Sequence, residues 1–460
     1  MTRLGVIGGG AAAVSLLDAL SRTARPPRSV TVFEPAARRW RGRAYQRDLD
    51  SVRVNAPGSI MSARHGDDDH YGRWLRQRGP EYSDRWLDDR LGSPLLPRGA
   101  YGDYLADTAE AAVARLREAG CEVTVAAARV TGVAASGDRL RLRTDHDGRG
   151  LEVDRVVHGV GSGVPEDVYG LAGAPGFIAD PYPLAETLRA VPERAEVAVV
   201  GSGLTAVDIA VSLAARGHRG GITLLSRHRV LPYVWLRPVP VEPRWLTREQ
   251  LGGAAARHGE LTLDHLTDLL RAELAEHGQD LAQLTEEILD TGREEPGERL
   301  RRQLKEGDSP YLGRRLLQAA VHPLGLPAWR LLTERDRERL RGPFGRTVTA
   351  LSSPMVPVNA AVLLDLLDSG RLTVATAPDR VTARPGGGFH LGSGTGARTA
   401  DVVVNAVNPR PRLVPGAAAA AGRGLWFVGE AAVAREGWIV TPGIPGVAAQ
   451  AAAVAAELTA

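Results

Sequence analysis

Two stretches, "GVIGGGAAAV" at Gly5–Val14 and "AVVGSGLTAV" at Ala198–Val207, constrain this chain more than anything else in it. Each is a short apolar run that enters a Gly-x-Gly-x-x-Ala turn and leaves as a helix. In such a unit the first glycine, Gly8 or Gly201, permits the tight turn. The second, Gly10 or Gly203, lets backbone approach a pyrophosphate, and Ala13 or Ala206 lets helix and strand pack closely. The phosphates then rest on free N–H groups at a helix N-terminus, where the dipole favours negative charge. One such turn alone is a weak signal. Here a strand precedes each, a helix follows, and a further strand comes next.

Those following strands end differently. "SVTVFEP" ends in Glu34 and "GITLLSR" in Ser226 and Arg227; Glu34 and Arg227 each stand 26 residues beyond the first glycine of their turn. A carboxylate there accepts ribose hydroxyls and repels a 2′-phosphate, whereas Ser226, Arg227 and Arg229 are suited to hold one. The first turn therefore reads as an FAD site built from Gly8, Gly10, Ala13 and Glu34. The second reads as an NADPH site built from Gly201, Gly203, Thr205, Ser226, Arg227 and Arg229, with NADH as the alternative if the arginines face solvent. One turn would keep a flavin, and the other would receive the nicotinamide that reduces it.

The two halves share one order of elements. After each strand–turn–helix–strand comes an amphipathic helix, Tyr101–Gly120 or Asn359–Gly370. Next come runs that read as hairpin strands, "CEVTVAAARVTGVAASGDRLRLRT" and "RLTVATAPDRVTARPGGGFHLGSG", and a closing strand at "VDRVVHGVGSGVP" or "ADVVVNAVNP". The expected fold class is α/β, with two Rossmann-like dinucleotide-binding domains. Residues 1–190 begin the FAD-binding domain, 191–410 form the NAD(P)H-binding domain, and 411–460 return to the first. An insertion at about 243–341, rich in Leu, Glu, Arg and Gln, should be helical. It shapes either a substrate pocket or a contact in a homo-oligomer, and its composition leaves both open.

Composition excludes several classes. The chain has 460 residues, a net charge of +3 and a single lysine, Lys305; its arginines are interspersed with acids, so no nucleic-acid-binding stripe is expected. No apolar run reaches the ~18 residues that suggest a membrane span. The N-terminal run resembles a signal peptide only superficially, because a glycine triplet and Asp18 interrupt it; a cytoplasmic protein is expected. Cys121 is the only cysteine, so neither an intrachain disulfide nor a dithiol redox pair can form. His65, Asp67, Asp69 and His70 lie close together but read as a solvated loop, and no metal is expected.

A reduced flavin is anionic at N1 and is favoured by a positive helix end. "TPGIPGVAAQAAAVAAEL", Thr441–Leu458, supplies one, with the first N–H groups near Gly443 and Ile444.

With both turns in place, the chain resembles the FAD/NAD(P)-binding oxidoreductases with two dinucleotide-binding domains, close to the flavin-dependent monooxygenases that N-hydroxylate amines and amino acids. The resemblance lies in "GRAYQ…VRVNAPGSIMS" (Gly42–Ser62), Trp74-Leu75, "LPRGAYGDYL" (Leu96–Leu105) and "GSGLTAVDIAVSL…GHRGGITLLSRHRVLP" (Gly201–Pro232). It implies that Asn55 lies close to the isoalloxazine ring. Gly429-Glu430 would take the place of the Gly-Asp that contacts the ribityl chain. Two departures are visible: Glu430 itself, and "HGVGSG" (His158–Gly163) where such domains close on Ala-Thr-Gly.

The resemblance implies an FAD-containing, NADPH-dependent monooxygenase. O₂ and a small amine or amino-acid-like substrate would be its partners, and N-hydroxylation would proceed through a flavin C4a-hydroperoxide. A non-oxygenating NAD(P)H dehydrogenase or electron donor, and a non-catalytic flavin-binding protein, are the alternatives. A dithiol reductase is excluded by the lone cysteine.

Overall fold

The computed structural model describes residues 2–146, 150–342, 344–392, 398–411 and 413–460. Two five-stranded parallel sheets organise it. The first runs, in spatial order, Leu425–Phe427, Arg155–His158, Arg3–Ile7, Ser29–Phe33 and Glu122–Ala126. The second runs Phe177–Ile178, Val402–Asn405, Val197–Val200, Ile222–Ser226 and Leu372–Thr376. In both, the strand before the glycine turn is central, flanked on one side by the next strand in sequence and on the other by the closing strand. The order reverses at that point, which opens a crevice at the strands' carboxyl ends.

The strands read as continuous apolar runs because both faces of each sheet are covered. Helices cover one face and a three-stranded antiparallel sheet the other: Val130–Ser136, Arg139–Thr144 and Leu151–Val153 over the first, Val381–Ala383, Phe389–Leu391 and Arg398–Ala400 over the second. Helix Ala11–Leu20 lies between helices Arg98–Glu118 and Gly443–Thr459, and Leu4, Val6, Leu17, Val32, Leu105 and Val454 share its core. Helix Leu204–Ala215 packs against Pro357–Asp368, with Val199, Val207, Leu224 and Leu363 in the second core. Each core is built mainly from the βα units of one module, with Trp235 and Val356 entering the first core and Val52 the second. That is the physical meaning of the repeated order in the sequence.

The runs read as hairpins are divided. Glu122–Ala126 pairs parallel with Ser29–Phe33, and Leu372–Thr376 pairs parallel with Ile222–Ser226, so each is a sheet strand rather than a hairpin arm. Only the segments after them form hairpins, Val130–Ser136 with Arg139–Thr144 and Val381–Ala383 with Phe389–Leu391. Alternating polarity did not separate the two cases, because an edge strand of a parallel sheet also has a wet face. Ser393 and Gly394, at the end of the second run, lie outside the described residues.

Between Arg248 and Ser352 the described residues are mainly helical, so the helical insertion extends past its expected end at 341. It forms Arg248–His258, Leu263–Ala275, Ala282–Asp290, Pro296–Lys305, Gly313–Leu331, Glu334–Arg341 and Gly345–Ser352. No described helix is long and apolar enough to cross a membrane.

Candidate functional site

The first turn is crowded on every side by its own module. Gly8 has φ +97°, and a Cβ there would stand 3.0 Å from Gly159 O, on the closing strand's loop. A Cβ on Gly10 would meet Gly42 Cα at 3.2 Å. Gly10 caps helix Ala11–Leu20 with no side chain of its own, so its first N–H groups face the crevice. Ala13 is buried between helix and sheet. Glu34 directly follows the strand Ser29–Phe33, and its carboxylate accepts the Gly9 N–H at 2.9 Å and the Ala36 N–H at 2.8 Å. An ionised carboxylate has about four lone-pair sites, so two bonds leave capacity for ribose hydroxyls. These residues fit an adenine dinucleotide.

The two departures from the family pattern touch each other. Ser162, in "HGVGSG", donates its hydroxyl to Glu430 Oε2. Burial pushes the Glu430 carboxyl up from its ordinary value, while Ser162 and Arg43 pull it down. Gly429, at φ +73°, donates its N–H to Gln450 Oε1 at 2.7 Å, which ties it to the terminal helix. That helix begins at Gly443, with Ile444 buried in its first turn.

The insertion closes over this end. Trp329 Nε1 donates to Glu436 O at 2.8 Å, Arg330 pairs with Glu436, and the Trp329 and Trp438 rings stand 5.0 Å apart. His322 lies against Gly443: a Cβ on that glycine would be 3.2 Å from His322 Nδ1, and Nδ1 is buried without a partner. Burial lowers the His322 pKa below its ordinary value. Nothing in the sequence marked His322, because its role depends on a helix 121 residues away in the chain.

Asn55 is half-buried, and its backbone carbonyl accepts Trp235 Nε1 at 2.6 Å. Trp235 follows the second module's turn strands, so the Asn55 loop is fixed from the other half of the chain. A second tie is buried: Arg98 pairs with Asp208 of helix Leu204–Ala215 at 2.8 Å, and Tyr182 donates to the same carboxylate. The two turns are thereby held in one relative position. His65, Asp67, Asp69 and His70 form no ligand set: Asp67 pairs with Arg73, Asp69 with Arg76, and His70 Nδ1 with Tyr104 Oη. A cleft of about 460 Å³ lined by Gly58, Tyr71, Arg76 and Ser93 shares no residue with either turn.

The second turn repeats the first with more room. Gly201 has φ +124° and a prospective Cβ contact of 2.9 Å to Ala406 O, but a Cβ on Gly203 would meet nothing within 4 Å. Thr205 stands half-buried in the first turn of the helix. Ser226 is buried and accepts a hydrogen bond from Ser202 Oγ at 2.9 Å, while Arg227 is exposed. Arg229 is committed elsewhere: its Nη2 donates to Glu295 Oε2 at 2.6 Å and its Nε to Val374 O at 3.1 Å. Arg346, which sequence reading missed, reaches the same turn from the insertion's last helix and donates to Ser202 Oγ at 3.1 Å. Open space and unsatisfied donors at this turn fit a second dinucleotide.

Comparisons with known proteins agree with this architecture. Residues 5–163 match the family model described as FAD-NAD(P)-binding. Among curated proteins no sequence matches the chain. An ornithine N-hydroxylase from Kutzneria sp. 744, solved with reduced FAD, NADP⁺ and L-ornithine, superimposes with a TM-score of 0.57 at 14% identity, covering 99% of this chain and 98% of that one. The FAD-bound cadaverine monooxygenase of the desferrioxamine pathway of Erwinia amylovora gives 0.55 at 14% identity, covering 99% and 93%. A doubly substituted flavin monooxygenase from Stenotrophomonas maltophilia gives 0.52 at 16% identity, covering 100% and 98%. At these identities the likeness is one of fold.

Proposed function

We propose that this chain, with its FAD-NAD(P)-binding segment at residues 5–163 and the fold of the flavin-dependent monooxygenases, is an FAD-containing, NADPH-dependent monooxygenase that N-hydroxylates a small amine or amino-acid-like substrate. The observation that carries the reading is the pair of glycine turns at the reversal points of two parallel sheets, one facing an acid and the other arginines. FAD would supply the redox and oxygen chemistry; the protein supplies position and seclusion. Glu34 and the Gly8–Ala13 turn would hold the adenosine diphosphate of FAD. Gly429, Glu430, Gly443 and Ile444 would hold its ribityl and pyrimidine portions. Gly201, Gly203, Thr205, Ser226 and Arg227 would hold NADPH. Asn55, anchored by Trp235, would present its amide to the reacting edge. The insertion excludes water by covering the terminal helix at Trp438 and Gly443.

The test is a stoichiometry. Purified protein should release FAD on denaturation and oxidise NADPH in the presence of O₂. With a panel of diamines and basic amino acids, at least one compound should yield hydroxylamine in proportion to NADPH consumed. NADPH consumption that ends only in hydrogen peroxide with every amine would favour the dehydrogenase reading. Protein that binds no flavin would overturn both.

A further inference from the structure

Arg346 is the second residue of helix Gly345–Ser352, which ends the helical insertion. Its Nη2 donates to Ser202 Oγ at 3.1 Å and to Val230 O, and its Nε is buried with no partner. Among the described residues no carboxylate pairs with it. Its charged neighbours are two further arginines, Arg299 and Arg227, and burial together with these charges pulls its pKa down to about 10. Arg299 is itself buried, hangs from the adjacent carbonyl, Leu231 O, at 2.8 Å, and has an unpartnered Nη1.

A guanidinium removed from water without a counter-charge is unfavourable unless an anion completes the site. Other arginines nearby are satisfied: Arg229 pairs with Glu295, Arg302 with Glu294 and Arg314 with Glu287, and the buried Arg315 donates to the carbonyls of Arg237, Gly307, Ser309 and Tyr311. Among the described residues Arg346 and Arg299 have neither a carboxylate nor a full set of acceptors, and the Arg346 deficit lies on the side chain of Ser202, inside the second glycine turn.

We propose that Arg346 binds a phosphate of the nicotinamide dinucleotide, so that the helical insertion contributes an anion site that Arg227 completes from the strand end. The proposal rests on the reading of the second turn as a nucleotide site. Two phosphates are within the chemistry of the arrangement, the adenosine 2′-phosphate and the bridging pyrophosphate. Both are dianionic or nearly so, and both accept the paired donors of a guanidinium.

The experiment compares wild-type holoprotein with Arg346→Met, an apolar residue of similar reach. NADP⁺ and NAD⁺ binding is measured by calorimetry, and thermal unfolding is measured without nucleotide. The variant should bind NADP⁺ at least ~10-fold more weakly, as loss of a charge-assisted contact implies, while its nucleotide-free melting temperature does not fall. Loss confined to NADP⁺ assigns the 2′-phosphate; equal loss for NAD⁺ assigns the pyrophosphate. NADP⁺ affinity within twofold of wild type, with or without a lowered melting temperature, overturns the proposal and leaves the nucleotide site standing. Wild type that binds neither nucleotide overturns both. If the methionine variant does not fold, Arg346→Gln, which keeps an N–H for Val230 O, decides on the same criteria.

Discussion

The two glycine turns share a strand, a helix and a register, yet they sit in opposite surroundings. Around the first stand carboxylates, with Glu34 on the turn itself and Glu430 across the crevice on Ser162. Around the second stand guanidinium groups, with Arg227 at the strand end and Arg346 on Ser202. The first turn is walled in by Gly42 and Gly159 of its own half, whereas the second is open at Gly203. In the proposed reading the same backbone device serves two ligands. What distinguishes them is charge and clearance rather than the turn: a tightly enclosed, acid-faced turn suits a resident flavin, and an open, arginine-faced one suits a nucleotide that comes and goes.

The largest effect should come from clearance. Gly8→Ala combines a positive φ with a contact on Gly159 backbone and should cost at least ~2 kcal/mol of stability. Gly203→Ala, at φ −82° with open space, should cost under ~1 kcal/mol. Thermal unfolding of the two variants side by side reads the difference; equal losses would erase the contrast.

Next is the charge at the strand ends. Glu34→Gln weakens the bonds to Gly9 and Ala36 and should reduce FAD affinity by roughly tenfold. Flavin retained after dialysis measures it, and full retention would count against the first assignment. Arg227→Ala should lower the NADPH-to-NADH preference in flavin reduction by about tenfold. Arg229→Ala should change it less, because Arg229 is already paired with Glu295. A larger effect at Arg229 would mean that this ion pair opens for the nucleotide.

The smallest effect concerns pH. Burial holds the Glu430 carboxyl above its ordinary value of 4.5, so the folded state binds that proton more tightly than the unfolded chain. Its stabilising contribution is fully present below the ordinary value and is lost as pH rises through the folded one. Relative to Glu430→Gln, the wild type should therefore lose stability as pH rises across that window. A difference that is flat, or that grows with pH, would show that Ser162 and Arg43 outweigh burial.

Much of the fold was legible because its signals are local. Strand Arg3–Ile7, its turn and helix Ala11–Leu20 announce themselves through composition over ten residues, and the second half repeats them. The reversal from Glu34 to Arg227 was equally plain, since both lie at a fixed spacing from a turn. Periodicity also exposed the helices Arg98–Glu118 and Pro357–Asp368, because one face of each must meet a core.

The remainder depended on residues far apart in sequence. Glu122–Ala126 became a sheet strand only because Ser29–Phe33 offered it an edge. Arg229 pairs with Glu295, and Ser202 is met by Arg346, 144 residues downstream. His322 gained its position from Gly443, and Asn55 from Trp235. Sequence by itself determined which segments form the two nucleotide-binding units, because helix dipole, glycine conformation and apolar periodicity act within one element. Which side chains face each site was decided only by tertiary structure, since a buried charge finds its partner, or fails to, in the packing of distant helices.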